Sequence, residues 1–76
     1  MTDDFNELYT QLGLNIAFYR RKNGLTQENL AEMAGISRTH ISNIEAPKVA
    51  KSLSLEVLFR IARALNIEVG KLFELR

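Results

Sequence analysis

Apolar residues recur every three to four positions along most of the chain, which is the spacing of amphipathic α-helices. Near the N-terminus this pattern predicts a helix from about Asp4 to Lys22, which Asn23-Gly24 then ends. One face of this first helix should be buried. Its apolar residues are Phe5, Leu8, Leu12, Ile16 and Tyr19.

The stretch LTQENLAEMAGISRTHISNIE, residues 25–45, divides into two shorter amphipathic segments. Thr26 suits the N-cap of a second helix, but it lacks the reciprocal Glu of a capping box, since the residue three positions on is Asn29. Gly35 suits a left-handed residue that ends this helix, and Ser37 suits the N-cap of a third. The apolar residues expected inside are Leu30, Ala31, Ala34, Ile36, Ile41 and Ile44.

Two more helices are expected beyond Ala46-Pro47, which should end the third helix because the residue before a proline is pushed away from the α region. Residues 47–53 are expected to form a basic loop, Ser54 suits the N-cap of the fourth helix, and Asn66 should end it. A fifth short helix is expected from about Val69 to Leu75. The fourth helix should bury Leu55, Leu58, Ile61, Ala62 and Leu65, and the fifth offers Val69, Leu72 and Phe73.

The pattern contains no alternating run of strand length, so we predict an all-α fold, a compact bundle of five short helices. At 76 residues the chain is long enough for one small domain, residues 1–76, with a limited core. It has no Cys, no apolar run that could span a membrane, and an acidic N-terminus unlike a signal peptide. We therefore expect a cytoplasmic protein with no membrane partner.

Charge is distributed unevenly along the chain. Residues 1–19 carry a net charge of −3, residues 20–51 a net charge of +3, and the whole chain +1. The positive excess thus lies in and around the two central helices. It fits either ordinary scatter of surface charge or a footprint for a polyanion.

The residues give little support to catalysis or metal binding. There is no Cys nucleophile, the four glycines are too far apart for a phosphate-binding loop, and His40 is the only histidine. One histidine without cysteines or paired carboxylates is not a metal site. We expect a protein that is not an enzyme and that needs no cofactor or metal.

The third helix should be apolar on one side and rich in hydrogen-bonding groups on the other. Arginine suits guanine, asparagine suits adenine, and threonine can bond a base or touch a thymine methyl group. Taken alone, the same residues also fit a solvated helix face. The residues of the free side are Arg38, Thr39, His40, Ser42 and Asn43.

The central stretch, followed by SLEVLFRIARALNI, resembles the lambda-repressor-like helix-turn-helix domain of phage repressors and Cro proteins, the Cro/C1-type or XRE regulators. The resemblance covers roughly residues 12–73, with a helix-turn-helix core at about 26–46. One departure is Ala46-Pro47, where family members commonly carry glycine. The combination that carries the resemblance is Gln27, Leu30-Ala31, Ala34-Gly35, Ile36, Ile41 and Ile44-Glu45.

The resemblance implies a regulator that binds double-stranded DNA with its third helix in the major groove. It assigns base contacts to Arg38, Thr39 and Asn43, and a pairing of Arg20 with Glu45. It implies that the protein acts as a homodimer, at least on DNA, at an inverted-repeat operator. The residues expected to contact phosphates or brace the third helix are Gln27, Ser37, His40, Ser42, Lys48 and Lys51.

Repression is favoured over activation, because a repressor needs only to occlude the polymerase. The fifth helix, with Leu72, Phe73 and Leu75, is the expected dimer surface, to which Phe5 and Tyr9 could add. The alternative is a protein-interaction module, such as an antitoxin, that keeps the same fold without binding DNA.

Overall fold

A computed structural model describes residues 5–46 and 53–74. These residues form four α-helices and one 3₁₀ helix, and they contain no β-strand, so the all-helical class is confirmed. None of the helices in these two ranges has the length and hydropathy to cross a membrane. The elements are α1 (Asn6–Lys22), α2 (Gln27–Ala34), α3 (Arg38–Glu45), α4 (Leu55–Ala64) and the 3₁₀ helix (Val69–Phe73).

The prediction of five short helices is confirmed for the first four, but the described C-terminal residues form no fifth α-helix. The segment Val69–Phe73 forms a 3₁₀ helix of five residues, preceded by Glu68, whose side chain makes no capping hydrogen bond. A segment this short gains too few i→i+4 bonds to sustain an α-helix, and Gly70, its second residue, weakens it further. Leu75, the predicted end of this helix, lies outside the described residues.

Side-chain caps fix where the three shorter α-helices begin. Thr26, Ser37 and Ser54 each accept a hydrogen bond from the backbone N–H three residues on, at 3.0, 3.0 and 3.1 Å. Asn29 stands where a capping box usually has Glu, and it completes the box nonetheless, because its side-chain oxygen accepts from the Thr26 N–H at 3.0 Å. An asparagine amide oxygen here does what a glutamate does in a capping box.

The core lies between the four α-helices and the 3₁₀ helix, and α2 packs against both α3 and α4. Helix α3 packs against α1 and α2, while the 3₁₀ helix packs against α1 and α4. Most of the predicted inward residues are buried, which confirms the helical periodicity. The apolar core consists of Leu12, Ile16, Leu30, Ala31, Ala34, Ile41, Ile44, Leu58, Ile61, Ala62, Leu65 and Leu72.

Three residues predicted to be buried are instead exposed: Phe5 (59%), Leu8 (57%) and Leu55 (66%). All three lie at helix beginnings. Phe5 is the N-cap of α1, which begins at Asn6 rather than Asp4, and Leu55 is the first residue of α4. At these positions the apolar side of the helix extends beyond the neighbouring helices that bury the rest of it. The sequence pattern cannot show where those neighbouring helices end.

Candidate nucleic-acid interface

The turn between α2 and α3 is short and tightly bonded. Gly35 has φ of +72°, a left-handed conformation that favours glycine, as predicted. The Gly35 N–H donates to the Glu32 carbonyl oxygen at 3.3 Å, and the Ile36 N–H donates to the Ala31 carbonyl oxygen at 3.0 Å. These bonds satisfy carbonyls at the end of α2, so that the chain turns into α3 within three residues.

Helix α3 has an apolar side that is fully covered and a polar side that is open. Ile41 and Ile44 are 0% and 2% exposed. Burying each isoleucine contributes about 1.5–3 kcal/mol, which is far more than an eight-residue helix gains from its own backbone. The fold therefore determines which side of α3 faces outward.

The structure places the predicted base-reading residues together on the open side. Arg38, Thr39 and Asn43 are exposed, and His40 and Ser42 beside them are half-buried. Thr39 and Asn43 are four residues apart and so share one face of the helix. This surface, defined by Arg38, Thr39 and Asn43, is called the reading face below.

The C-terminal end of α3 is anchored to α1 by an ion pair. The guanidinium of Arg20 donates from Nε to Glu45 Oε2 at 2.8 Å and from NH2 to Glu45 Oε1 at 3.0 Å. The two side chains are only 9% and 5% exposed. The structure thus brings together the two residues expected to pair, and it adds a bond from Arg20 NH1 to the Leu25 carbonyl oxygen at 2.8 Å.

Gln27 joins the same network from the first position of α2. Its Nε2 donates to Glu45 Oε1 at 3.0 Å, so the side chain braces the end of α3. Glu45 therefore accepts bonds from both α1 and α2. The Ser37 hydroxyl, at the other end of α3, caps the helix by accepting from the His40 N–H.

Sequence reasoning missed the role of Gly13, which lies where α1 meets α3. A Cβ at this position would collide with the backbone carbonyl oxygen of Ile44. Only glycine lets α1 approach the end of α3 so closely. The sequence does contain a sign of this role, because a single glycine in the middle of an amphipathic helix is unfavourable unless close packing requires it.

Sequence reasoning also missed Asn15, which is 0% exposed. Its Nδ2 donates to the backbone carbonyl oxygens of Leu72 at 2.9 Å and Glu74 at 2.6 Å. Asn15 thereby joins α1 to the 3₁₀ helix, 57 residues further along the chain. The sequence does contain a sign of this role, because a polar residue directly before Ile16, on the inward side of α1, needs a buried hydrogen-bond partner.

A second surface feature lies away from the helix-turn-helix. An apolar groove of about 380 Å³ opens between the N-terminal half of α1 and the 3₁₀ helix. None of its lining residues is charged. The residues that line this apolar groove are Phe5, Leu8, Tyr9, Gln11, Leu12, Leu72 and Phe73.

Two of the predicted phosphate contacts, Lys48 and Lys51, lie outside the described residues. Within residues 5–46 and 53–74, no group of three or more His, Cys, Asp or Glu side chains could hold a metal ion.

Comparisons with known proteins agree with this geometry. The control protein C.SmaI of Serratia marcescens is 38% identical over 68 residues, which cover 90% of this chain and 79% of that protein. The restriction-modification controller protein C.AhdI from Aeromonas hydrophila aligns over 86% of this chain and 96% of its own, with 31% identity and a TM-score of 0.79. SinR of Bacillus subtilis, the master regulator for biofilm formation, solved in complex with DNA, aligns over 83% of this chain and 98% of its own, with 28% identity and a TM-score of 0.76.

The family assignment rests on the matched span as well as on these relatives. Residues 16–72 match the family model HTH_3, described as helix-turn-helix, and this span contains α2, α3, α4 and most of the 3₁₀ helix, up to Leu72. The chain belongs to the HTH_3 helix-turn-helix family.

Proposed function

We propose that this chain is a sequence-specific regulator of transcription that binds double-stranded DNA, reads the major groove with α3 and acts as a repressor. The observation that carries the proposal is the division of α3 into a locked apolar side and an open polar side. Its action is binding and not catalysis. The fold is of the lambda-repressor-like type, and the protein would act in the cytoplasm, together with the DNA.

The reading face has the chemistry that base edges require. A guanidinium can donate two bonds to O6 and N7 of guanine, and a carboxamide can both donate to and accept from adenine. Arg38 lies in the first turn of α3, the end that enters the groove in helix-turn-helix proteins, and Asn43 lies just over one turn further on. The C.AhdI and SinR folds support the assignment, since SinR was solved with DNA bound.

Phosphate contacts would flank the reading face. Gln27, Ser37, His40 and Ser42 carry polar groups beside it, and in the structure Gln27 is already held by Glu45. Lys48 and Lys51 would add positive charge from the segment that follows α3 in the sequence. Contacts of this kind fix the protein on the duplex without reading its sequence.

Two copies would act together. A single eight-residue helix reads only a few base pairs, which is too little to single out one site in a genome. We therefore propose a homodimer, formed at least on DNA, at an inverted-repeat operator with half-sites about one helical turn apart. Occupying such a site is enough to exclude a polymerase, so repression needs nothing beyond the described fold.

The proposal is tested by selecting bound duplexes from a random DNA pool. We expect a defined inverted repeat, and salt-dependent binding in which the logarithm of affinity falls linearly with the logarithm of salt concentration. A pool that stays random after selection would overturn the proposal. Weak, salt-insensitive binding would favour the protein-interaction module instead, for which the apolar groove is the supporting observation.

Arg38→Ala tests which face reads the bases. We expect the affinity for the selected site to fall by about 1–3 kcal/mol and the preference at one base pair per half-site to relax. The matched control is Arg63→Ala, which removes the same charge from an exposed position on α4. Equal weakening of selected and scrambled duplexes would make Arg38 a phosphate contact, and no change would remove α3 from the interface.

A further inference from the structure

The end of α2 is bonded by the turn that follows it and also by a side chain of α4. Within the turn, the backbone N–H groups of Gly35 and Ile36 donate to carbonyl oxygens of α2. From α4, the guanidinium of Arg60 donates to the Ala34 carbonyl oxygen at 3.4 Å. Ala34 is the last residue of α2 and is only 3% exposed, so Arg60 satisfies an acceptor that bulk water barely reaches.

The end of α2 is built to receive this arginine. A Cβ on Gly35 would lie 3.1 Å from a terminal nitrogen of Arg60, which is closer than an ordinary contact. The last turn of α2 contains no basic residue of its own. A cation is favourable at a helix C-terminus, where the helix dipole places partial negative charge, and here α4 supplies it.

Glu56 holds the guanidinium in this position. Nε and the other terminal nitrogen of Arg60 both donate to Glu56 Oε2, at 3.1 and 2.9 Å. Because a guanidinium is planar and rigid, fixing two of its nitrogens directs the third at the Ala34 carbonyl. The Glu56 carboxylate also offsets the charge of Arg60, so the pair adds little net charge to the surface that a polyanion would meet.

We propose that Arg60 is a positioning residue for DNA recognition, which sets the direction in which α3 leaves the turn and so where Arg38 meets the bases. The inference rests on the proposed function and deepens it by naming a residue outside the helix-turn-helix that controls specificity. Arg38 is the first residue of α3 and follows Gly35 by three positions. The turn beside Arg60 is therefore the segment that orients Arg38.

Helix α3 is held at its two ends by different helices. Its C-terminal end is anchored through Glu45, which accepts bonds from Arg20 of α1 and Gln27 of α2. Its N-terminal end follows a turn of three residues, and Arg60 bonds the residue directly before that turn. The end of α3 that is proposed to enter the groove thus depends on the contact with α4.

A change in the angle of α3 should affect base contacts more than phosphate contacts. Hydrogen bonds to base edges weaken steeply when donor and acceptor are misaligned, and Arg38 is proposed to make two of them at once. Non-specific binding depends on the positive charge of the protein rather than on the direction of one helix. Loss of the Arg60 contact should therefore lower discrimination between DNA sequences and leave non-specific binding unchanged.

The test compares Arg60→Met with the matched control Arg63→Met. Both substitutions remove one positive charge from α4 and leave an unbranched side chain, but Arg63 is exposed and lies three residues further on. Thermal unfolding followed by circular dichroism checks that the variants are folded. Fluorescence anisotropy then measures their affinities for the selected duplex and for a scrambled duplex across a salt series.

We expect Arg60→Met to bind the selected duplex about three- to tenfold more weakly, with unchanged affinity for the scrambled duplex and an unchanged salt slope. Arg63→Met should keep the wild-type ratio of the two affinities. A purely structural role would lower the melting temperature of Arg60→Met and leave that ratio intact. A phosphate contact would weaken both duplexes and lower the salt slope by about one unit. Either result would overturn the inference.

Arg60→Lys separates the geometry of the side chain from its charge. A lysine keeps the positive charge but lacks the planar group that bonds Glu56 and the Ala34 carbonyl together. We therefore expect the ratio of the two affinities to stay below that of the wild type. A wild-type ratio in this variant would show that charge alone is sufficient and would overturn the inference.

Amide hydrogen exchange tests the contact without DNA. In Arg60→Met the Ile36 amide, which is bonded across the turn, should exchange at least about threefold faster, whereas the Leu30 amide, bonded at the other end of α2, should keep its rate. Unchanged exchange at Ile36 would overturn the inference. If the wild-type chain selects no DNA sequence, the proposed function fails. If it selects one and Arg60→Met keeps the wild-type ratio of affinities, only the inference fails.

Discussion

Removing the Glu45 carboxylate is the most direct test of how α3 is held in place. In the Glu45→Ala variant, the guanidinium of Arg20 loses two charged hydrogen bonds, of 2.8 and 3.0 Å, and keeps only its bond to the Leu25 carbonyl oxygen. Gln27 loses its acceptor as well. The Arg20 side chain is only 9% exposed, so its charge is left largely shielded from bulk water.

The expected cost follows from this burial. Removing one partner of a buried pair costs about 3–5 kcal/mol, because the other charge is left buried without compensation. A domain of 76 residues has a total free energy of unfolding of about 4–11 kcal/mol. A domain of this size loses about 4–8 °C in melting temperature per kcal/mol, so we expect a decrease of at least about 12 °C.

The assay is thermal unfolding followed by circular dichroism, with Glu56→Ala as the matched control. Glu56 also pairs with an arginine, Arg60, at 2.9 Å, but its side chain is 73% exposed. Exposed pairs four residues apart in a helix contribute about 0.3–0.5 kcal/mol, so the control should melt within about 4 °C of the wild type. Equal melting temperatures for Glu45→Ala and Glu56→Ala would show that the Arg20 pair does not anchor α3.

Three further outcomes are expected. Gly13→Ala should destabilise the fold by about 1–3 kcal/mol in denaturant unfolding, because its Cβ would press on the Ile44 carbonyl. The control Gly70→Ala has open space around the new Cβ and should not lower the free energy of unfolding. Equal unfolding midpoints for the two variants would contradict the close approach of α1 and α3. Ser37→Ala should cost about 1 kcal/mol through the lost cap of α3, and an unchanged unfolding midpoint would count against that cap. Lys51→Ala should weaken binding to selected and scrambled DNA alike, and it should lower the slope of log affinity against log salt concentration by about one unit. A loss of affinity confined to the selected site would instead make Lys51 a residue that contacts bases.

The parts of the fold that the sequence predicts are those determined by local rules. Gly35, Ser37 and Ser54 are recognisable from the conformations and hydrogen bonds that turns and caps require, and the structure confirms them. Ile41 and Ile44 are recognisable from helical spacing, which also fixes the opposite side of α3 as open. Helical spacing therefore identifies which residues form the reading face, whereas their contacts with DNA remain a prediction.

The parts that the sequence does not predict depend on what is near in space but distant in the chain. Asn15 bonds carbonyl groups 57 and 59 residues away, and no local pattern indicates that partner. Gly13 meets the end of α3 only once the helices have packed. Phe5 and Leu8 were expected to be buried and are exposed. Helical spacing predicts which side of a helix faces inward, but it does not predict how much of that side the neighbouring helices bury.

Helix α3 separates the residues that hold it from those proposed to read DNA. Ile41, Ile44 and Glu45 make its buried contacts, whereas Arg38 and Asn43 are exposed. If α3 reads DNA as proposed, substitutions on the open side change the preferred DNA sequence while leaving stability nearly unchanged. The two central helices do not hold this arrangement alone, because Arg20 of α1 supplies part of the anchor of α3. We therefore expect a fragment limited to α2 and α3 to lose the orientation of α3. On the proposed function, new DNA preferences can evolve on this domain through one exposed side chain of α3 at a time. Grafting the helix-turn-helix onto another protein requires that α1 be grafted with it.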